Sequence, residues 1–133
     1  NIHFFHDEIG FNYRLPNLNA ALGLAQMELL PKILEAKRTI AQRYQDWGKK
    51  NGIEFIKELE FTRVNYWLNT IVTKNLSERN IMLQETNNNG VTTRPIWTPM
   101  HKLAMNLNCQ KADLANTEWL NDRLINVPSS AII

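Results

Sequence analysis

The hydrophobic and polar positions at the start of the chain predict a long helical region. Pro16 has the backbone geometry favoured in the first turn of a helix, and Pro31 indicates a bend or a second helix start. After Pro31, apolar residues recur at three- and four-residue spacing up to about Gly48: Ile33, Leu34, Ile40, Ala41, Tyr44 and Trp47. This pattern predicts an amphipathic helix whose charged face is solvated and carries Lys32, Glu35, Lys37, Arg38, Arg43 and Lys49.

The pattern then changes to short β-branched and aromatic runs that alternate with helical stretches. Beyond a turn at Asn51 and Gly52, we predict strands at 53–56, 66–72 and 91–94, helices at 77–90 and 112–124, and a loop over 95–108. Ser77 is the expected N-cap of the first of these helices and Gly90 its left-handed stop. In the second helix we expect Ala115, Trp119 and Leu120 to face inward. Alternating helices and strands predict an α/β or α+β fold, with helices layered on a small sheet.

One flank of the first helical stretch consists almost entirely of small residues: Ala20, Ala21, Gly23 and Ala25. Glycine inside a helix costs about 1 kcal/mol relative to alanine, so close approach of another backbone would be a reason for Gly23. The flank therefore predicts tight packing against another segment or a second copy of the chain.

Composition narrows the class of protein. The 133 residues fit a single domain, and the formal net charge of +2 argues against nucleic acid or a membrane surface as partner. No apolar run reaches the roughly 18 to 20 residues of a bilayer span, and the N-terminus does not resemble a signal peptide, so we expect a cytoplasmic protein. Cys109 is the single cysteine, which excludes an internal disulfide.

Two loops carry candidate binding chemistry. Asn12, Tyr13 and Arg14 offer an amide, a phenol and a forked cation just before a helix start, a combination suited to a phosphate or carboxylate. The alternative is an ion pair of Arg14 with Asp7 or Glu8. His3 and His6 provide only two imidazoles, which favours a polar loop over a metal site.

The second loop presents Arg94, Trp97 and His101 on a segment that two prolines stiffen. A cation for phosphate, an aromatic face for stacking and an imidazole for a hydroxyl would form a nucleotide-sugar subsite. In the alternative interpretation, Trp97 only fills the core. The chain has no nucleophile elbow, phosphate-binding loop or dinucleotide fingerprint, so the residues alone do not name a reaction.

Three segments resemble the DegT/DnrJ/EryC1/StrS family of sugar-nucleotide aminotransferases, in order along the chain. They are HDEIGFNYRLPNLNAALGLAQMELLPKILEAKRTIAQRYQDWGKK, TTRPIWTPMHKLAMN and TEWLNDRLINVPSSA. The first is similar to the segment that follows the cofactor lysine, the second to the substrate-binding loop and the third to the closing helix and turn. RPIWTPMHK is most similar to members that aminate nucleotide-linked keto-deoxysugars for surface polysaccharides.

The resemblance implies the aspartate-aminotransferase fold, a homodimer with its sites at the subunit interface, and pyridoxal phosphate as cofactor. This chain would be the C-terminal small domain, with 1–15 as interface and cofactor loop, 16–50 as helical entry and 51–133 as the small α/β part. Asn12 and Arg14 would then contact the cofactor across the dimer, and Arg94, Trp97 and His101 the sugar nucleotide.

The resemblance also implies that a Schiff-base lysine, an Asp on the pyridine nitrogen and an aromatic over the ring lie upstream of residue 1. None can be matched here, so we expect no catalytic residue in the chain and no cofactor bound by it alone. The chain begins with Asn1 and stops at Ile133, where the family continues, so we expect a fragment, a stand-alone relic or half of a split protein. Two further hypotheses remain: a non-catalytic, self-associating module with residual sugar-nucleotide binding, and a small enzyme with unrelated chemistry at Arg94 and His101.

Overall fold

A single long helix opens the fold. The computed structural model describes residues 7–11 and 14–131, and in it helix α1 runs without interruption over Asn17–Asn51. Gly52 ends the helix in the left-handed conformation, at φ 67°, and donates its N–H to the Gly48 carbonyl oxygen. The predicted restart at Pro31 is wrong, because the proline lies inside the helix, and the predicted bend stays a prediction. Because proline has no N–H, the Met27 carbonyl oxygen lacks the hydrogen-bond donor that a helix normally supplies. Met27 is 63% exposed, so water can donate to this oxygen instead.

Four short antiparallel strands form one sheet. They are β1 (Glu54–Phe55), β2 (Asn69–Val72), β3 (Arg94–Pro95) and β4 (Leu124–Val127), in the spatial order β1-β2-β4-β3. β4 therefore lies between β2 and β3, with Ile71 opposite Ile125 and Arg94 opposite Asn126. Three of the strands fall in or overlap predicted segments, whereas β4 was not predicted.

Two further helices complete the architecture. Helix α2 covers Leu76–Asn88, and its N-cap is Asn75 rather than the predicted Ser77: the Asn75 side chain accepts the Glu78 N–H at 2.9 Å. Helix α3 covers only Ala115–Asn121, because the chain leaves it for β4. Ala115 and Trp119 are exposed, so their predicted inward orientation is wrong, and Leu120 is half-buried. Two turns of 3-10 helix, Met100–Lys102 and Ala104–Asn106, occupy the segment predicted as a loop.

The core lies between the sheet and the helices. Five buried apolar side chains form one cluster there: Phe55, Ile71, Leu83, Ile125 and Val127. α1 joins this core through Tyr44, whose ring stacks on Phe55 with centroids 5.3 Å apart. Gly48 permits the close approach, since a Cβ atom there would lie 2.5 Å from the Ile53 carbonyl oxygen. The predicted α/β (α+β) arrangement, a long helix leading into a small sheet covered by helices, is confirmed.

The first half of α1 is exposed with respect to the rest of the described chain. The small-residue flank is exposed, and among the described residues no atom other than the adjacent helix backbone lies within 4 Å of a Cβ built on Gly23. The tight packing predicted for this flank is not seen within the described residues, so it stays a prediction about a second copy of the chain or another segment. Within residues 7–11 and 14–131, no helix is both long and apolar enough to cross a membrane.

Candidate functional site

A cavity of about 310 Å³ opens beside the β3–β4 edge of the sheet. Pairing of β3 with β4 forms it, because this pairing brings Arg94 beside Asn126 and the segment that follows β4. The lining residues are mostly apolar and include one cation: Trp67, Leu68, Thr92, Arg94, Pro95, Trp97, Asn126, Val127, Pro128 and Ser129. A mostly apolar cavity with a few polar groups is the usual form of a small-molecule site.

Buried hydrogen bonds fix the start of β3. Thr93 is 1% exposed, and its hydroxyl lies 2.6 Å from the Thr86 hydroxyl on α2. The Asn87 side chain donates to the Thr93 carbonyl oxygen at 3.0 Å. α2 thereby holds Arg94, the next residue, in the lining of the cavity.

Two stacked indoles form one side of the cavity. The rings of Trp67 and Trp97 lie with centroids 5.8 Å apart and planes 25° from parallel. Trp67 is 65% exposed and Trp97 45% exposed, so Trp97 does not fill the core, contrary to the alternative interpretation. The pair presents aromatic surface on which a ring can stack.

The lining segment from Val127 to Ser129 is held by hydrogen bonds from distant parts of the chain. The Ser129 hydroxyl accepts from the Asn69 backbone N–H at 2.8 Å and donates to the Val127 carbonyl oxygen at 2.9 Å. Lys37 of α1 donates to the carbonyl oxygens of both Trp67 and Ser129.

The predicted solvated face of α1 is therefore partly wrong. Lys37 and Arg38 are half-buried, and Arg38 donates to the Val64 carbonyl oxygen at 2.6 Å and pairs with Glu58 at 3.4 Å. Long side chains of this kind cover neighbouring loops while their charged ends find partners.

His101 lies away from the cavity. Its Nε2 hydrogen-bonds Glu118 on α3, and Lys102 pairs with the other oxygen of the same carboxylate. The hydrogen bond from Lys102, followed by that from His101, lowers the pKa of Glu118. Together with Met100, Cys109 and other residues, His101 lines a separate surface depression. The structure thus brings Arg94 and Trp97 together and leaves His101 apart.

The other predicted site falls largely outside the described residues. Four of its candidate residues lie outside the described residues: His3, His6, Asn12 and Tyr13. Arg14 is described and is exposed just before α1. Within the described ranges Arg14 forms no ion pair with Asp7 or Glu8. The same ranges contain no group of three or more His, Cys, Asp or Glu side chains able to hold a metal ion.

Sequence analysis missed three residues that shape the cavity: Trp67, Ser129 and Lys37. Trp67 was assigned to a predicted strand, where an aromatic residue is unremarkable. No local pattern indicates that a helix lysine reaches a carbonyl 92 positions further along the chain.

The family model of the DegT/DnrJ/EryC1/StrS aminotransferases matches residues 1–132. Among curated relatives, the chain is 34% identical over 129 residues to GDP-perosamine synthase of Vibrio cholerae, covering 95% of this chain and 35% of that protein. It is 36% identical over 130 residues to GDP-perosamine synthase of Escherichia coli O157:H7, covering 95% and 34%. The chain thus spans about a third of the length of these relatives.

The fold is similar to that of a solved aminotransferase. TlmJ from Streptoalloteichus hindustanus superposes with a TM-score of 0.74 at 21% identity, over 84% of this chain and 30% of that one. With a family model that matches nearly the whole chain and curated relatives above 30% identity, the chain belongs to the DegT/DnrJ/EryC1/StrS aminotransferase family.

Proposed function

We propose that the chain supplies the substrate-binding side of an aminotransferase that depends on pyridoxal phosphate. Its substrate would be a nucleotide-linked keto-deoxysugar for surface-polysaccharide synthesis, and the chain would not be catalytic by itself. The observation that carries the proposal is the cavity where Arg94 lies with the stacked indoles of Trp67 and Trp97. The GDP-perosamine synthases among the relatives support a nucleotide sugar as the substrate class.

The chemistry of the cavity suits such a ligand. A nucleotide sugar carries a diphosphate, and the forked guanidinium of Arg94 matches phosphate oxygens. Its sugar and base present flat faces that pack on aromatic rings, as Trp97 and Trp67 offer. In this proposal Arg94 and Trp97 contact the ligand directly, and His101, paired with Glu118, contacts it only from the neighbouring depression.

The residues described here do not make a complete site for the cofactor. None of the residues that line the cavity is a lysine, and Lys37 is bound to two carbonyl oxygens. A Schiff base requires a lysine amine facing the ligand. We therefore propose that the chain alone holds no pyridoxal phosphate, and that Asn12 and Arg14 of the opening loop (1–15) contact its phosphate only in an assembled homodimer.

Titration of the purified chain with GDP, followed by calorimetry, tests the substrate proposal. Arg94→Ala and Trp97→Ala should each weaken binding about tenfold, since each removes one ligand contact worth roughly 1 to 2 kcal/mol. Arg63→Ala removes an exposed arginine outside this cavity and should leave the affinity unchanged. Equal affinity of all three variants and the parent chain would contradict the assignment.

Absorbance spectra with added pyridoxal phosphate, before and after borohydride, test whether the chain forms a Schiff base with the cofactor. We expect no reducible adduct on a single lysine, as judged by intact mass and peptide mapping. A stoichiometric adduct on one defined lysine would show that the chain carries its own Schiff-base site.

The exposed half of α1 favours self-association as a second proposal. Leu18, Leu22, Leu24 and Met27 are between 62% and 80% exposed, and apolar surface of this kind tends to be covered in solution. We propose a homo-oligomer in the cytoplasm that binds neither nucleic acid nor membrane. A monodisperse monomer in sedimentation, from micromolar to millimolar concentration, would contradict self-association.

A further inference from the structure

We infer that Lys37 is a positioning residue that sets the shape of the cavity from outside it. Lys37 is not among the residues that line the cavity, yet it is bonded to two residues that are. The consequence for ligand binding rests on the proposed function, whereas the consequence for the shape of the cavity does not.

The two bonds of Lys37 reach two segments that line the cavity. Its Nζ donates to the Trp67 carbonyl oxygen at 3.1 Å, and Trp67 carries one of the two stacked indoles. The same Nζ donates to the Ser129 carbonyl oxygen, in the segment after β4. Since one ammonium group bonds both backbones, it fixes the distance between them.

A lysine suits this position because its ammonium group has three donors around one compact charge. Two donors serve the two carbonyl oxygens, which lie 30 and 92 positions away along the chain. A neutral apolar side chain of similar length would leave both carbonyls without this partner, and the backbone of Trp67 would lose its bond to α1.

The Ser129 side of the cavity is rigid enough for this bond to matter. The Ser129 hydroxyl is buried and bonded to Asn69 and Val127, so the segment moves as one piece with the sheet. Tyr44, two turns after Lys37 on the same face of α1, donates its hydroxyl to the Pro128 carbonyl oxygen at 2.9 Å. α1 therefore holds this side at two successive residues but holds the Trp67 side through Lys37.

Circular dichroism of the indole pair gives a direct test. Two stacked indoles couple their electronic transitions and produce a couplet in the far ultraviolet that depends on their mutual orientation. Lys37→Met should reduce this couplet by at least half, and Lys37→Arg should largely retain it, because a guanidinium can also serve both carbonyls. Lys49→Met, an exposed lysine near the end of the same helix, is the matched control and should leave the couplet intact.

Trp67→Phe establishes that the couplet comes from this pair and should abolish it. Where Lys37→Met does not fold, Lys37→Gln replaces it, since its amide retains donors but is too short to bond both carbonyls. An unchanged couplet in the Met or Gln variant, with helix content and thermal stability also measured, would overturn the inference.

GDP affinity separates this inference from the proposed function. We expect Lys37→Met to weaken GDP binding about fivefold while Lys37→Arg restores it. A reduced couplet in a chain that does not bind GDP at all would support the positioning role and contradict the proposed ligand. Normal GDP binding by a Lys37→Met variant with an intact couplet would contradict the positioning role and leave the proposed ligand supported.

Discussion

The side-chain amide of Asn69 donates a hydrogen bond to the Ser129 hydroxyl at 3.1 Å, and both residues are buried. The backbone N–H of Asn69 donates to the same oxygen at 2.8 Å. One hydroxyl thus satisfies two donors at the start of β2 and attaches the segment after β4 to the sheet. Because this segment forms one side of the cavity, the pair connects the stability of the fold with the shape of the site.

Removal of that hydroxyl should be costly. Ser129→Ala leaves two buried donors of Asn69 without their acceptor, so we expect the free energy of unfolding to fall by about 2 kcal/mol. Urea denaturation followed by circular dichroism measures the change. The adjacent Ser130 is exposed, and Ser130→Ala should alter stability by less than about 0.5 kcal/mol. A loss of equal size in both variants would contradict this role of the buried hydroxyl.

Two glycines of α1 should respond to alanine in opposite directions. At Gly48 a Cβ atom would meet the Ile53 carbonyl oxygen at 2.5 Å and the Phe55 ring at 2.8 Å, so Gly48→Ala should destabilise the fold by about 1 to 3 kcal/mol. At Gly23 the described residues outside the adjacent helix backbone leave the space within 4 Å of a Cβ empty, so Gly23→Ala should add about 0.5 to 1 kcal/mol through helix propensity alone.

Thermal unfolding and helix content at 222 nm distinguish the two glycine variants. A stabilised Gly48→Ala chain would show that α1 and β1 do not approach as closely as described.

Ile125 is the centre of the core and should tolerate little change. It is 0% exposed and lies on β4, between β2 and β3. Ile125→Val should therefore lower the free energy of unfolding by about 1 kcal/mol through one lost methylene. Ile81→Val makes the same chemical change at a side chain that is 60% exposed and should be nearly neutral. Chemical denaturation of the two variants side by side tests whether β4 carries its isoleucine into the core.

The ion pair of Glu118 should make stability depend on pH in the acid range. Lys102 and His101 lower the pKa of this carboxyl below its ordinary value of 4.5, so the folded chain favours the carboxylate. The contribution is fully present above pH 4.5 and is lost as the pH falls through the lower pKa of the folded state.

Unfolding of the parent chain and of Glu118→Gln, measured at steps from pH 7 to pH 3, tests this sign. The parent should be the more stable above pH 4.5, and the difference should shrink below it. Lys102→Met removes the main cause of the shift and should reduce the pH dependence. A difference that grows with acidity would contradict the lowered pKa.

Much of the helical framework followed from local sequence. The spacing of Tyr44 and its apolar neighbours predicted α1, and Gly52 and Gly90 both adopt the positive φ expected of glycines at helix ends. Local signals were weaker where a residue has several suitable neighbours. Asn75 rather than Ser77 caps α2, since either side chain can accept an N–H and only the backbone path decides between them.

By itself, the sequence determined the family and the long helix, because these depend on residue identity and local spacing. Only the tertiary structure decided that Leu124–Val127 is a strand between β2 and β3, since a four-residue strand is defined by its neighbours rather than by its own pattern. The tertiary structure also paired Trp97 with Trp67, attached His101 to Glu118 and brought Lys37 to the Ser129 carbonyl. These contacts join residues far apart in the chain, so their geometry exists only once the strands have paired and α1 has packed against the sheet.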